Sequence, residues 1–145
     1  GHSAIVVSGR ELVESPGGHP AIRKASILQF LHLHPQHAQF RPKSREMGQG
    51  AAQFAEEYLA EYQENLRQGV YRPVFSFSLK EDLDDPWGTI YCSKLVWLCY
   101  YYGANYELKN DFLWFSPEDL YTQLKGNPDF VLVYKDSGFR FKFNS

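Results

Sequence analysis

The chain opens on a β-rich run, His2-Ser3-Ala4-Ile5-Val6-Val7, passes Ser8-Gly9, and continues extended from Arg10 to Ser15 until Pro16-Gly17-Gly18 ends it. This pattern predicts a β-hairpin. Two closures fit its turn. A two-residue Ser8-Gly9 loop pairs Val7 with Arg10 and sets His2 opposite Ser15, whereas a three-residue Val7-Ser8-Gly9 loop with a left-handed Gly9 pairs Val6 with Arg10 and sets His2 opposite Glu14. Residues 21–24 fit a short strand, and Ser26 is placed to cap a short helix over residues 26–31 that Pro35 ends. Residues 37–50 are polar, basic and without period, and read as a long loop. Over residues 50–67 the apolar positions Ala51, Phe54, Ala55, Tyr58, Leu59 and Tyr62 mark one face of an amphipathic helix, which Gly69 closes. Residues 70–77 are extended and aromatic, and residues 80–87 form an acidic loop. A helix over residues 91–102 is apolar nearly all round, hence the buried one, with Gly103 as its stop. Ser116-Pro117-Glu118-Asp119 starts a last helix, with Ser as cap and Pro at the first helical position. Strands over residues 130–134 and 139–143 close the chain around Asp136-Ser137-Gly138.

Composition narrows the class. Of the 145 residues 43% are hydrophobic, 17% aromatic and 22% charged, which predicts one folded domain over residues 1–145. With 15 Lys and Arg against 17 Asp and Glu, the net charge of −2 leaves nothing to draw nucleic acid. The longest apolar run, residues 95–102, is far below the roughly 18 residues that suggest a membrane span. There is no internal repeat, and nothing in the pattern sets an oligomeric state. The chain starts at Gly1-His2 without an initiator Met and enters an apolar run at once, as a fragment or processed form would.

The two cysteines, Cys92 and Cys99, fall on one predicted helix. Seven residues of helix span about 10 Å, beyond the roughly 7 Å limit for a disulfide, so both are thiols. Cys92 opens the helix, where unpaired N–H groups and the macrodipole favour a thiolate. A nucleophilic cysteine also needs a base within hydrogen-bond reach and an acceptor that holds the base in the right tautomer. His2 and Glu14 take those roles if the three-residue turn forms. The plain alternative is that Cys92 is a small core residue and His2 a terminal side chain. Cys99 lies two turns inside the apolar helix, where desolvation raises a thiol, and belongs to the core.

Tyr91-Cys92-Ser93-Lys94-Leu95-Val96-Trp97 resembles the Cys-Ser-x-Leu-Val helix start of NlpC-type papain-like peptidases, and Gly69-Val70-Tyr71 resembles their Gly-x-Tyr element. In ordinary members the cysteine helix precedes the histidine strand. Here the order is His2, Glu14, Cys92, as in the circularly permuted branch, the YiiX-like or YaeF-like amidases. Gly1-His2-Ser3-Ala4-Ile5-Val6-Val7 is similar to that branch's histidine strand and Val13-Glu14-Ser15 to its acidic strand. Ala51-Ala52 is similar to its middle helix, and Ser116-Pro117-Glu118-Asp119-Leu120-Tyr121 to its Pro-x-Asp-Leu segment. The resemblance implies an α+β, permuted papain-like fold, a small antiparallel sheet or barrel packed on the cysteine-bearing helix, here starting one strand later than the family's domain. It implies acyl chemistry needing neither metal nor other cofactor, with Cys92 as nucleophile, His2 relaying the proton and Glu14 orienting His2. It places Tyr71, Tyr91 and Ser93 at the substrate or oxyanion. A peptide or peptidoglycan fragment is the implied partner, and the cell envelope, periplasm or exterior the implied location. A lipid ester or amide is the competing substrate, and a non-catalytic papain-like module the third reading.

Three smaller features remain. His32, His34 and His37 suit a zinc set by number, yet no Cys or acid lies close by and Pro35 breaks their face, so they are expected to be solvated. Arg41, Lys43 and Arg45 read as scattered surface charge, and Glu81, Asp82, Asp84 and Asp85 as a solvated loop.

Overall fold

The opening hairpin forms in a register that neither closure anticipates. In the computed structural model, which describes residues 1–110 and 114–139, β1 (Ile5–Val6) pairs antiparallel with β2 (Glu11–Glu14), Ile5 opposite Val13 and Val6 opposite Leu12. The loop is Ser8-Gly9-Arg10, closed by the Val7 N–H on the Glu11 carbonyl at 3.0 Å, and Gly9 is not left-handed. The Ser8 hydroxyl accepts the Arg10 and Glu11 N–H groups at 3.3 and 3.1 Å, which holds the turn without a left-handed residue. Relative to the three-residue closure the ladder slips by two residues, so every side chain keeps its face; the two-residue closure would have turned them all over.

β3 (Arg23–Ser26) lies on the other side of β2, with Glu14 directly opposite Arg23. It starts later than expected because Ala21 and Ile22 are buried instead, and the Ala21 N–H binds the Tyr62 hydroxyl at 2.8 Å. Ser26 caps α1 (Ile27–Leu33), accepting the Gln29 N–H, and His34 ends the helix before Pro35.

Residues 37–50 are not a loop. β4 (Ala38–Pro42) pairs antiparallel with β7 (Phe130–Lys135), and Ser44 caps α2 (Arg45–Arg67) well before residue 50. β7 therefore finds its partner far back in the chain rather than in a closing hairpin. The expected strand over residues 139–143 lies, from residue 140 on, outside the described residues.

Buried over its first nine residues, α3 (Cys92–Ala104) packs against α2 where Gly50 and Gly103 meet. A Cβ on Gly50 would lie 2.2 Å from the Gly103 carbonyl oxygen, and one on Gly103 would lie 2.3 Å from that of Gly50. Gly103 is thus the crossing point of two helices and not a stop; α3 ends at Asn105, left-handed with φ 52°. Because the obstacle is backbone on both sides, Gly50→Ala must push the helices apart. A cost of about 1–3 kcal/mol outweighs the ~1 kcal/mol gained in helix propensity, and a urea titration is expected to show a lower midpoint with unchanged slope.

β5 (Val74–Phe75) and β6 (Thr89–Ile90) form a parallel pair that delivers the chain into α3. The acidic loop between them is pinned rather than freely solvated. Its backbone carbonyls at Asp82, Asp84 and Pro86 accept from the Lys94 ammonium and from the Tyr102 and Tyr58 hydroxyls, and Asp85 turns inward on the Trp87 and Gly88 N–H groups. Ser116 and Asp119 form a reciprocal capping box at the start of α4 (Pro117–Leu124). The result is a mixed α/β fold of four helices and three small sheets, with no closed barrel among the described residues. No helix among the described residues is long and apolar enough to cross a membrane.

Candidate active site

Cys92 is the first residue of α3. The N-cap, Tyr91, is extended and supplies no side-chain cap hydrogen bond, unlike the serines that open α1, α2 and α4. With no capping side chain over the first turn, the positive end of the helix faces the sulfur.

The three-stranded sheet brings up the rest. Glu14 ends the central strand, so its carboxylate can be gripped from both sides. On one side His2 gives its Nε2 hydrogen to Oε1 at 2.8 Å, and on the other Arg23 gives its Nε hydrogen to Oε2 at 2.9 Å. Extending the observed ladder sets His2 opposite Pro16, so the imidazole reaches Glu14 diagonally across the same face. With Nε2 engaged, Nδ1 is the ring nitrogen left free, and the imidazole lies near enough to Cys92 for each group to shift the other's titration.

Charge follows this chain of contacts. Burial pulls the His2 imidazole down, but its hydrogen bonds to Cys92 and Glu14 and their negative charge outweigh burial and raise it from 6.5 to about 9. Burial pushes the Cys92 thiol up, yet the hydrogen bond and charge of His2, with help from Ser93 and the Ser3 backbone, hold it below the ordinary thiol range. The hydrogen bond from His2, backed by Arg23, keeps Glu14 below the usual carboxylate range against the opposing effect of burial. The shifts all favour the charged forms: thiolate at Cys92, imidazolium at His2 and carboxylate at Glu14.

Ser93 also sits at the sulfur: its buried hydroxyl is 3.7 Å from Cys92 Sγ and 3.2 Å from the Ser3 hydroxyl. Tyr91 adjoins the nucleophile, but its hydroxyl accepts the Phe115 N–H at 3.0 Å and its ring packs on Phe77. Tyr71 is 66% exposed, edge-on to His19, and no described contact brings it to Cys92, His2 or Glu14. Cys99 is fully buried, and burial drives its thiol far above the ordinary range.

Two participants escape a sequence reading. Arg23 owes its place to the β2 and β3 register, which no local pattern reveals. His34 is not a solvated loop residue: it stacks on His2 with ring centroids 5.3 Å apart, and the Phe30 ring packs on both, 4.6 Å from His34 and 5.7 Å from His2. The signal was the i, i+4 spacing of Phe30 and His34 on one helix face. Burial, and then the positive charge of His2, pull His34 down, so it stays neutral against the imidazolium. His37 instead bonds the Pro35 carbonyl and stacks on Tyr134, and among the described residues no three His, Cys, Asp or Glu side chains converge as a metal site.

Beside His2 opens a cavity of about 350 Å³, walled by Glu14, Arg23, Gln29, Phe30 and His34 among others. Arg41, Lys43 and Arg45 take no part in it. No family model, curated protein or solved structure matches the chain significantly, so the chemistry of this site is argued from its own geometry.

Proposed function

We propose that the protein is a cysteine-dependent amide hydrolase with Cys92 as nucleophile, His2 as general acid and base, and Glu14 as the group that orients His2. The observation that carries this reading is the hydrogen-bonded chain His2, Glu14, Arg23 with its imidazole acting electrostatically on Cys92, the first residue of a buried helix. The Cys92 thiolate attacks the carbonyl carbon, forming a sulfur–carbon bond, and the oxyanion develops near the first-turn N–H groups of α3. As the carbon–nitrogen bond breaks, His2 passes its proton to the leaving amine. Water then attacks the thioester, gives a proton back to His2, and releases the acid and the thiolate.

A short peptide, such as a peptidoglycan stem peptide, is the substrate class this reading favours, within a permuted papain-like fold of the NlpC type. Support comes from the order of the three groups along the chain and from a cavity of about 350 Å³ whose walls mix charge with apolar surface, which suits a polar amide better than a long acyl chain. The test is mass-spectrometric product analysis after incubation with peptidoglycan and, separately, with phospholipids. Wild type is expected to release peptide products, and Cys92→Ala to lose at least ~10³-fold in turnover with the fold intact. Release of fatty acid alone would move the reading to a lipid hydrolase, and release of neither to a non-catalytic module.

A further inference from the structure

Resting on the proposed amide hydrolysis, we infer that the cavity beside His2 receives the leaving half of the substrate and that Arg23 selects a leaving amine bearing a carboxylate. The direction comes from the chemistry. The acyl half becomes bonded to Cys92, while the amine departs with the proton His2 supplies, so the amine lies on the histidine side of the scissile bond. The cavity is on that side: His2 and Glu14 form part of its wall, and Cys92 does not.

The donors on that wall are not all spent. Arg23 and His2 share the single Glu14 carboxylate, and the neutral His34 adds no charge. Arg23 gives only its Nε to Glu14, and its two terminal nitrogens take no other partner among the described residues, so the guanidinium fork is open to a second carboxylate. Gln29 adds an uncharged polar group, and Phe30, Leu33 and Ala25 give the apolar surface on which a side chain rests. The substrate class is an amide whose amine half is an amino acid with a free carboxylate, as at the C-terminus of a peptide.

A matched pair of probes tests this: 3-phenylpropanoate and its neutral amide, titrated separately while the His2 ring signal is followed by NMR. Wild type is expected to bind the carboxylate at least ~10-fold more tightly than the amide. Arg23→Gln is expected to erase that difference, and Arg23→Lys, which keeps the charge without the fork, to restore part of it. Damage to Glu14 positioning alone would weaken both probes alike. Equal binding of the two probes to wild type, binding of neither, or a carboxylate preference that survives Arg23→Gln overturns the inference, and the first two stand even if the variants fail to fold. Iodoacetamide labelling of Cys92 in the same samples separates the two claims. Selective labelling with no carboxylate preference leaves the hydrolase reading in place and removes only the pocket assignment; absence of selective labelling removes the hydrolase reading and the pocket assignment with it.

Discussion

Iodoacetamide at neutral pH is expected to label Cys92 at least ~10²-fold faster than Cys99, as read by peptide mass spectrometry over time. Alkylation proceeds through the thiolate, so its rate follows the fraction ionised and the access of the reagent. The two thiols share a helix and are both buried, Cys92 with 7% of its surface exposed and Cys99 with none, so ionisation is the main difference between them. Cys92 stands at the α3 N-terminus with the His2 imidazolium against its sulfur, and is held below the ordinary thiol value. Cys99 has no exposed surface, and burial drives its thiol far up. A ratio near one would mean that position along the helix and the His2 contact do nothing for the sulfur.

The second large effect is on pH. Turnover needs the thiolate and the imidazolium together, so it is expected to rise with pH as Cys92 ionises, below the ordinary thiol value of 9.0, and to fall again near pH 9 as His2 loses its proton. Glu14, held below the usual carboxylate range, is already ionised. Stability follows the same shifts. His2 is raised from 6.5 on folding, so its contribution is complete below 6.5 and lost as pH rises through about 9. Glu14 is lowered from 4.5, so its contribution is present above 4.5 and lost as pH falls through its folded value. The Cys92 thiol, lowered from 9.0, acts in the same sense as Glu14. Above the folded Cys92 value the gain from the thiol opposes the loss from His2, so their sum changes less with pH than either alone. Denaturant titrations across pH check this opposition, and initial rates check the bell.

Much of the site was legible because its parts are local. A helix apolar nearly all round announces a buried element, and a cysteine at its first position is readable from the run that follows. The hairpin places His2 and Glu14 on one face by parity alone, which a slip of two residues does not disturb. What stayed hidden depends on distant chain. Ala38–Pro42 is a half-exposed edge strand whose partner, Phe130–Lys135, lies near the other end of the chain, so its own residues carry little strand signal. Arg23 faces Glu14 because a buried Ala21-Ile22 pair delays the start of β3, and His34 meets His2 because α1 folds back beside the sheet. Gly103 looked like a stop because glycine ends helices; here the missing Cβ admits the backbone of α2.

The central claim is that His2 makes Cys92 a thiolate, and the most direct measurement is the ultraviolet thiolate absorbance of the folded protein followed against pH. Wild type is predicted to show one thiol titrating below 9.0, with Cys99 silent, and His2→Ala to move that midpoint upward. The same midpoint in both proteins, or a wild-type midpoint at or above 9.0, would contradict the account.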